Sequence, residues 1–195
     1  MQPIILASTS RYRAELLARL RLPFEVRAPQ VDETALPGEL PAALASRLAL
    51  AKAQAVAAQT AQGLVIGSDQ VAHCGGRIMG KPGGFKAAAL QLRGMRGRTT
   101  YFDTALAVVD AASGRTQTDL VSTRVALRDL SDAEIDDYLR RDQPYDCAGS
   151  ARSEGLGIIL MESIHGDDPT ALVGLPLIAL ARMLRAENVD FLNRT

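Results

Sequence analysis

Leu64-Val65-Ile66-Gly67-Ser68-Asp69-Gln70 is the stretch from which the fold is read. A brief, continuous apolar run bounded by glycine predicts a buried strand of an α/β sheet, Leu64 to Ile66, turning at Gly67. Ligands of such sheets gather beyond the carboxyl ends of the strands, so Asp69 is a candidate catalytic or metal-binding carboxylate. Gly-Ser-Asp is also an ordinary turn sequence, and this stretch alone favours that reading, which the rest of the chain reverses.

Upstream, a helix is expected from about Pro41 to Gln62, with Leu40, Leu44, Leu48, Ala51 and Ala55 as its buried stripe. Lys52 stands at the border of that stripe, where a lysine either snorkels to water or, in a cleft, holds a phosphate. Before the helix, Pro29 to Thr34 reads as a loop in which Asp32 and Glu33 are either a solvated pair or a second source of carboxylates for a cation. Further back, Phe24 to Arg27 is a short strand. Ile4 to Ala7 is a first strand, followed by Ser8-Thr9-Ser10 as candidate caps for a helix over Arg11 to Leu20. A strand, a polar turn and a helix start make an anion site, to which Arg11 and Arg13 add positive charge.

Downstream, Cys74-Gly75-Gly76-Arg77-Ile78 reads as a hairpin turn. Gly75 to Lys81 has the glycine-to-glycine-lysine spacing of a phosphate-binding loop. Pro82, however, stands where that loop needs a hydroxyl, and it denies Lys81 a helical geometry. Lys81 is read instead as a rigidly presented cation. A helix over Phe85 to Leu92, a long hairpin of Tyr101 to Val109 with Thr116 to Leu127, and a capping box at Ser131-Asp132-Ala133-Glu134 follow. A small-residue loop through Glu154 then leads to an expected strand, Ile158 to Met161, and Pro176 opens a last helix.

Composition narrows the function. The 195 residues carry 22 basic and 22 acidic side chains, a balance that argues against a general nucleic-acid binder. The apolar run Pro3 to Ala7 is too short for a targeting signal and no segment reaches the length of a membrane span, so a soluble cytoplasmic protein is expected. Cys74 and Cys147 lack a CxxC spacing and read as two reduced thiols, and with only two histidines a histidine-based zinc site is not expected. With no repeat or linker in view, residues 1–195 are read as one α/β domain.

Seven motifs, in order, resemble the Maf family of nucleoside triphosphate pyrophosphatases: Leu6-Ala7-Ser8-Thr9-Ser10, Val31-Asp32-Glu33, Lys52-Ala53, Ile66-Gly67-Ser68-Asp69-Gln70, Gly80-Lys81-Pro82, Ala148-Gly149-Ser150 and Val173-Gly174-Leu175-Pro176. The resemblance implies a mixed, elongated sheet flanked by helices, related to inosine triphosphatases, with the active site in a cleft. It implies hydrolysis between the α- and β-phosphates of a nucleotide, with Asp69, Glu33, Lys52 and Lys81 as the catalytic set and Ser8 and Arg13 binding substrate. Magnesium or manganese would be held by Asp69 and Glu33, and Asp69 would be the general base. Gln70, Glu154 and the aromatic Tyr12 resemble the branch acting on 7-methyl-GTP. Its base is cationic, so an aromatic face and a carboxylate suit it. The chain departs from the family at Arg11, where proline is usual, and at Tyr12, where the branch often has tryptophan. The family further implies a homodimer that acts on a small nucleotide, not on nucleic acid or a membrane, and that clears modified nucleotides. The rival expectations are a dTTP or UTP pyrophosphatase, against which Glu154 stands in place of an amide, and a non-catalytic nucleotide-binding regulator of septum formation.

Overall fold

The protein is described by a computed structural model over residues 2–192. Its central feature is a seven-stranded mixed sheet flanked by helices. β1 (Ile4–Ala7), β2 (Glu25–Arg27), β3 (Leu64–Cys74), β5 (Thr99–Asp110), β6 (Thr116–Leu127) and β7 (Met161–His165) take the order β2-β1-β3-β5-β6-β7, with β4 (Arg77–Met79) paired to β3. β1 runs parallel to both β2 and β3, in the register Ile4 to Leu64 and Leu6 to Ile66. β3 and β4 pair antiparallel through Cys74 and Arg77, joined by Gly75 and Gly76 at φ 57° and 78°. This is the two-residue hairpin that the glycine pair predicts. The helices are α1 (Arg11–Ala18), α2 (Pro41–Ala57), α3 (Phe85–Met95), α4 (Asp132–Asp142) and α5 (Leu177–Ala186).

The chain divides into two compact units. One comprises the residues up to Asp69, Thr104–Val121 and those from Asp168 onward; the other comprises Gln70–Asp103 and Ser122–Asp167. In the first, the alternation of β1 and β3 sends Ile4, Leu6, Leu64 and Ile66 into a core with Leu16 and Leu17 of α1 and Leu180, Met183 and Leu184 of α5. The intervening positions, Val65, Gly67 and Asp69, therefore point to the opposite face. There Gly67 lies against Ala49 and Ala53 of α2. In the second unit α3 packs on α4, and the ends of the two helices are tied by Arg93 and Arg96 to Asp132. The capping box holds as read: the Ser131 hydroxyl accepts from the Glu134 amide, and the Glu134 carboxylate accepts from the Ser131 amide.

Three expectations need correction. β3 does not end at Ile66; it continues through Gly67, Ser68 and Asp69 to Cys74, so Asp69 is held within a strand and not on a turn beyond it. On α2 the buried stripe is Leu44, Ala45, Leu48, Ala49, Lys52, Ala53 and Val56, whereas Leu40 caps the helix and is 71% exposed. The stripe is rotated because Lys52, paired with carboxylates, takes a position that hydropathy gives to alanine. Finally, Leu156–Leu160 forms a 3-10 turn, and the strand expected over Ile158 to Met161 starts only at Met161. Cys74 and Cys147 are free thiols, as expected, and no helix among the described residues is long and apolar enough to cross a membrane.

Asp168 anchors the start of α5. Its buried carboxylate accepts from the Thr170 amide at 2.9 Å, the Thr170 hydroxyl at 2.6 Å and the Ile178 amide at 2.7 Å. In Asp168→Ala the two backbone amides lose their acceptor, while the Thr170 hydroxyl keeps the Leu175 carbonyl at 2.9 Å, so unfolding free energy should fall by about 2–4 kcal/mol. Urea denaturation checks this; a loss under about 0.5 kcal/mol would remove the anchoring role.

Candidate active site

Asp69 faces α2, and the helix presents Lys52 to it. The Lys52 ammonium lies 2.6 Å from Asp69 Oδ1 and 2.6 Å from Glu33 Oε1. The lysine and Asp69 side chains are 7% and 11% exposed while Glu33 is 60% exposed, so Asp69 forms the floor of the arrangement and Glu33 its solvent side. A buried ammonium is tolerated because two carboxylates compensate its lost hydration. Gly67 makes the approach geometrically open: a Cβ there would stand 2.2 Å from the Ala49 carbonyl oxygen and 2.7 Å from the Ala53 nitrogen.

Residues of α1 and of the turn before α5 complete this unit's polar centre. Ser10 caps α1 by accepting from the Arg13 amide, and the buried Ser8 accepts from the Ser10 amide at 3.1 Å. Arg13 Nε donates to the Gly174 carbonyl at 2.9 Å, and the Ser68 hydroxyl donates to the same carbonyl at 2.9 Å. Gly174 thus aims Arg13 and supports the strand next to Asp69. Burial lowers the Arg13 pKa below the usual guanidinium range, an effect opposed by the charges of Asp69 and Glu33; the group remains a cation at neutral pH.

The loop that delivers Glu33 is itself held. Asp32 accepts from the Thr34 amide at 2.9 Å, so it closes the turn, and hydrogen bonding with the Thr34 side chain and then its amide lowers its pKa. Arg47 of α2 grips Glu39 through two bonds of 2.7 Å and donates to the Thr34 carbonyl at 3.1 Å. Its hydrogen bonds push the Glu39 carboxyl down to about 2, so the pair is ionised throughout the neutral range. Sequence reading missed Arg47 and Glu39. The available signal was Arg47's place five residues before Lys52 on one helix, which periodicity alone cannot connect to an acid in a loop.

Of the nine nominated residues, Ser8, Tyr12, Arg13, Glu33, Lys52 and Asp69 lie in the first unit; Gln70, Lys81 and Glu154 belong to the second. Lys81 is an exposed residue of the segment between β4 and α3, and the exposed Glu154 accepts from the Ser153 hydroxyl. Tyr12 carries the Arg11 guanidinium 4.8 Å above its ring, with Arg11 Nη2 donating to its hydroxyl at 3.1 Å. Its face therefore attracts a cation already. A cavity of about 410 Å³ in the second unit, bordered by Cys74, Arg77, Met79, Leu90, Gln91 and Arg98, includes none of the nine.

The donor set bears on the metal. No group of three or more His, Cys, Asp or Glu side chains is gathered among the described residues, but Asp69 and Glu33 converge on a single cation, the Lys52 ammonium. Two carboxylates with the remaining positions left to water and substrate oxygens are what magnesium takes beside a polyphosphate, so these residues fit such an ion.

Residues 3–187 match the family described as Maf-like protein. The chain is 61% identical over 188 residues to a 7-methyl-GTP pyrophosphatase of a Polaromonas species, spanning 96% of this chain and 86% of that one. It is 59% identical over 189 residues to a 7-methyl-GTP pyrophosphatase of Albidiferax ferrireducens, spanning 97% and 95%. Among solved structures it is similar to a nucleoside-triphosphatase (dITP/XTP pyrophosphatase) of Mycobacterium abscessus, with 17% identity, 95% of each chain covered and a TM-score of 0.48.

Proposed function

The chain belongs to the Maf family, and we propose that it hydrolyses 7-methyl-GTP to 7-methyl-GMP and diphosphate. The observation that carries this reading is the buried Lys52 ammonium held between Asp69 and Glu33, in a chain about 60% identical to enzymes of that name.

Asp69 is the general base. It takes a proton from water as the water oxygen bonds to phosphorus, and the α–β anhydride P–O bond breaks toward diphosphate. Lys52, 2.6 Å from Asp69 Oδ1, holds that carboxylate in place. Arg13 and the amide-rich start of α1, with Ser8, meet the negative charge of the triphosphate, and the family pattern gives Lys81 the role of a further cation. Asp69 and Glu33 would hold magnesium or manganese, which would supply charge neutralisation and polarisation at the phosphorus centre.

The base is selected by charge and hydrogen bonding. The Tyr12 ring, which attracts Arg11, would take the cationic 7-methylguanine face in its place, and the pattern of the family branch gives Glu154 the role of accepting from the Watson-Crick edge, with Gln70 as the other residue of that pattern. The same reading takes the enzyme to be a cytoplasmic homodimer that clears modified nucleotides.

Pyrophosphate release from 7-methyl-GTP, GTP, UTP, dTTP and CTP, with magnesium or manganese, tests the proposal. We expect 7-methyl-GTP to have the highest kcat/KM. In Glu154→Gln its advantage over GTP should shrink by about 10-fold, the worth of one charge-assisted hydrogen bond. Pyrimidine preference, or an unchanged ratio in the variant, would overturn the base assignment, and no turnover of any nucleotide would overturn the reaction.

A further inference from the structure

We infer that Arg47 and Glu39 are positioning residues for catalysis: their paired contact fixes the loop that sets Glu33 against Lys52. The inference rests on the catalytic reading of Asp69, Lys52 and Glu33.

Glu33 is the one member of the Lys52 cluster that no regular element carries. It lies in the segment between β2 and α2, is 60% exposed, and yet reaches Lys52 Nζ at 2.6 Å. Ion pairing alone does not hold an exposed acid on a long loop in one position, because such pairs gain little against side-chain entropy. The loop must be fixed by something else, and the bonds on either side of Glu33 do this. On its carboxyl side, Arg47 Nη2 donates to the Thr34 carbonyl at 3.1 Å, one residue from Glu33. The same guanidinium holds both oxygens of Glu39 at 2.7 Å, and Glu39 Oε2 in turn accepts from the Leu36 amide at 3.0 Å. On its amino side, Asp32 closes the turn by accepting from the Thr34 amide.

Arg47 is thus a fork with one tine on the loop backbone and two on an acid that bonds the same loop. This geometry needs guanidinium; the single ammonium of lysine cannot make all three contacts at once. Because Arg47 and Lys52 stand five residues apart on the rigid α2, the loop is referenced to the helix that also presents the lysine. Glu33 is positioned relative to Lys52 by the protein backbone, and the ion pair only completes the placement.

The test compares wild type, Arg47→Ala, Arg47→Lys and Glu39→Gln, each alone and combined with Glu33→Gln. Arg47→Ala should lower kcat for 7-methyl-GTP by roughly 10- to 100-fold with KM nearly unchanged, as when a group supporting a catalytic ligand is removed. Arg47→Lys should recover only part of the rate. In the Glu33→Gln background, Arg47→Ala should bring no further loss, since both changes remove the same placement. A merely structural arginine would instead give losses that multiply with those of Glu33→Gln, and that result, or wild-type kcat in Arg47→Ala, overturns the inference. If Arg47→Ala does not fold, Glu39→Gln and Arg47→Lys carry the same comparison. Hydrogen exchange reads the contact independently of turnover: the Thr34 and Leu36 amides should exchange faster in Arg47→Ala and Glu39→Gln. Should wild type hydrolyse none of the five nucleotides, the functional reading falls, and unchanged exchange at these amides would bring down the positioning role as well.

Discussion

Asp69→Asn should lower kcat for 7-methyl-GTP by about 1,000-fold and leave nucleotide affinity nearly unchanged. Two effects could follow from the substitution, and their sizes differ. Asparagine is nearly isosteric and retains an oxygen to accept from Lys52, so the position on β3 and the packing of α2 stay as they are. If Asp69 served only to orient Lys52, the loss would be that of one weakened hydrogen bond in a pair, about 10-fold. A general base that can no longer accept a proton costs roughly 100- to 10,000-fold. Binding has little reason to suffer, because the substituted residue no longer repels the triphosphate, and Lys52 is left with only Glu33 as its compensating acid. Single-turnover pyrophosphate release and equilibrium titration with the nucleotide give both quantities. A loss of only about 10-fold would reduce Asp69 to an orienting residue, while unchanged turnover would remove it from the site.

Lys52 shows why part of the site was legible in the sequence and part was not. Its residue type and its place in the family pattern marked it, yet hydropathy put it on the rim of α2, because a helical stripe is read on the assumption that charges face water. The structure reverses that assumption at one position by supplying two carboxylates, Asp69 and Glu33, which lie 17 and 19 residues away along the chain. Gly67 was misread for a related reason. Glycine inside an apolar run is most simply a turn, and only the close approach of Ala49 and Ala53 shows that it continues a strand. Local signals were sufficient where the cause was local, as in the Gly75-Gly76 hairpin and the Ser131 capping box. They failed at Arg47 and Glu39, whose connection depends on how a loop folds back over a helix. The 3-10 turn at Leu156–Leu160 is a further case: its apolar residues look like a strand, but no neighbouring strand is paired with them before Met161.

Gly67→Ala should be the most destabilising single-methyl change in this unit, and it should also disable the site. The added Cβ would stand 2.2 Å from the Ala49 carbonyl oxygen and 2.7 Å from the Ala53 nitrogen, where ordinary contact begins near 3.4 Å. Both atoms are helix backbone, so no side-chain rotation relieves them; α2 must move away from β3 by about 1 Å, and the tightly packed interface resists. A cost of about 3 kcal/mol follows, which for a chain of this size lowers Tm by roughly 6–12 °C. The same displacement carries Lys52, one residue before Ala53, away from Asp69. A misplacement of that size costs about 100-fold in rate when it falls on a catalytic group. Ala53→Gly is the decisive companion change. It removes the 2.9 Å contact with the Ala53 Cβ but neither of the backbone contacts, so the double variant should remain both unstable and slow. If Ala53→Gly restores Tm and rate, or if Gly67→Ala alone shifts Tm by less than about 2 °C, α2 can slide on the sheet, and the close approach at Gly67 does not set the distance between Lys52 and Asp69.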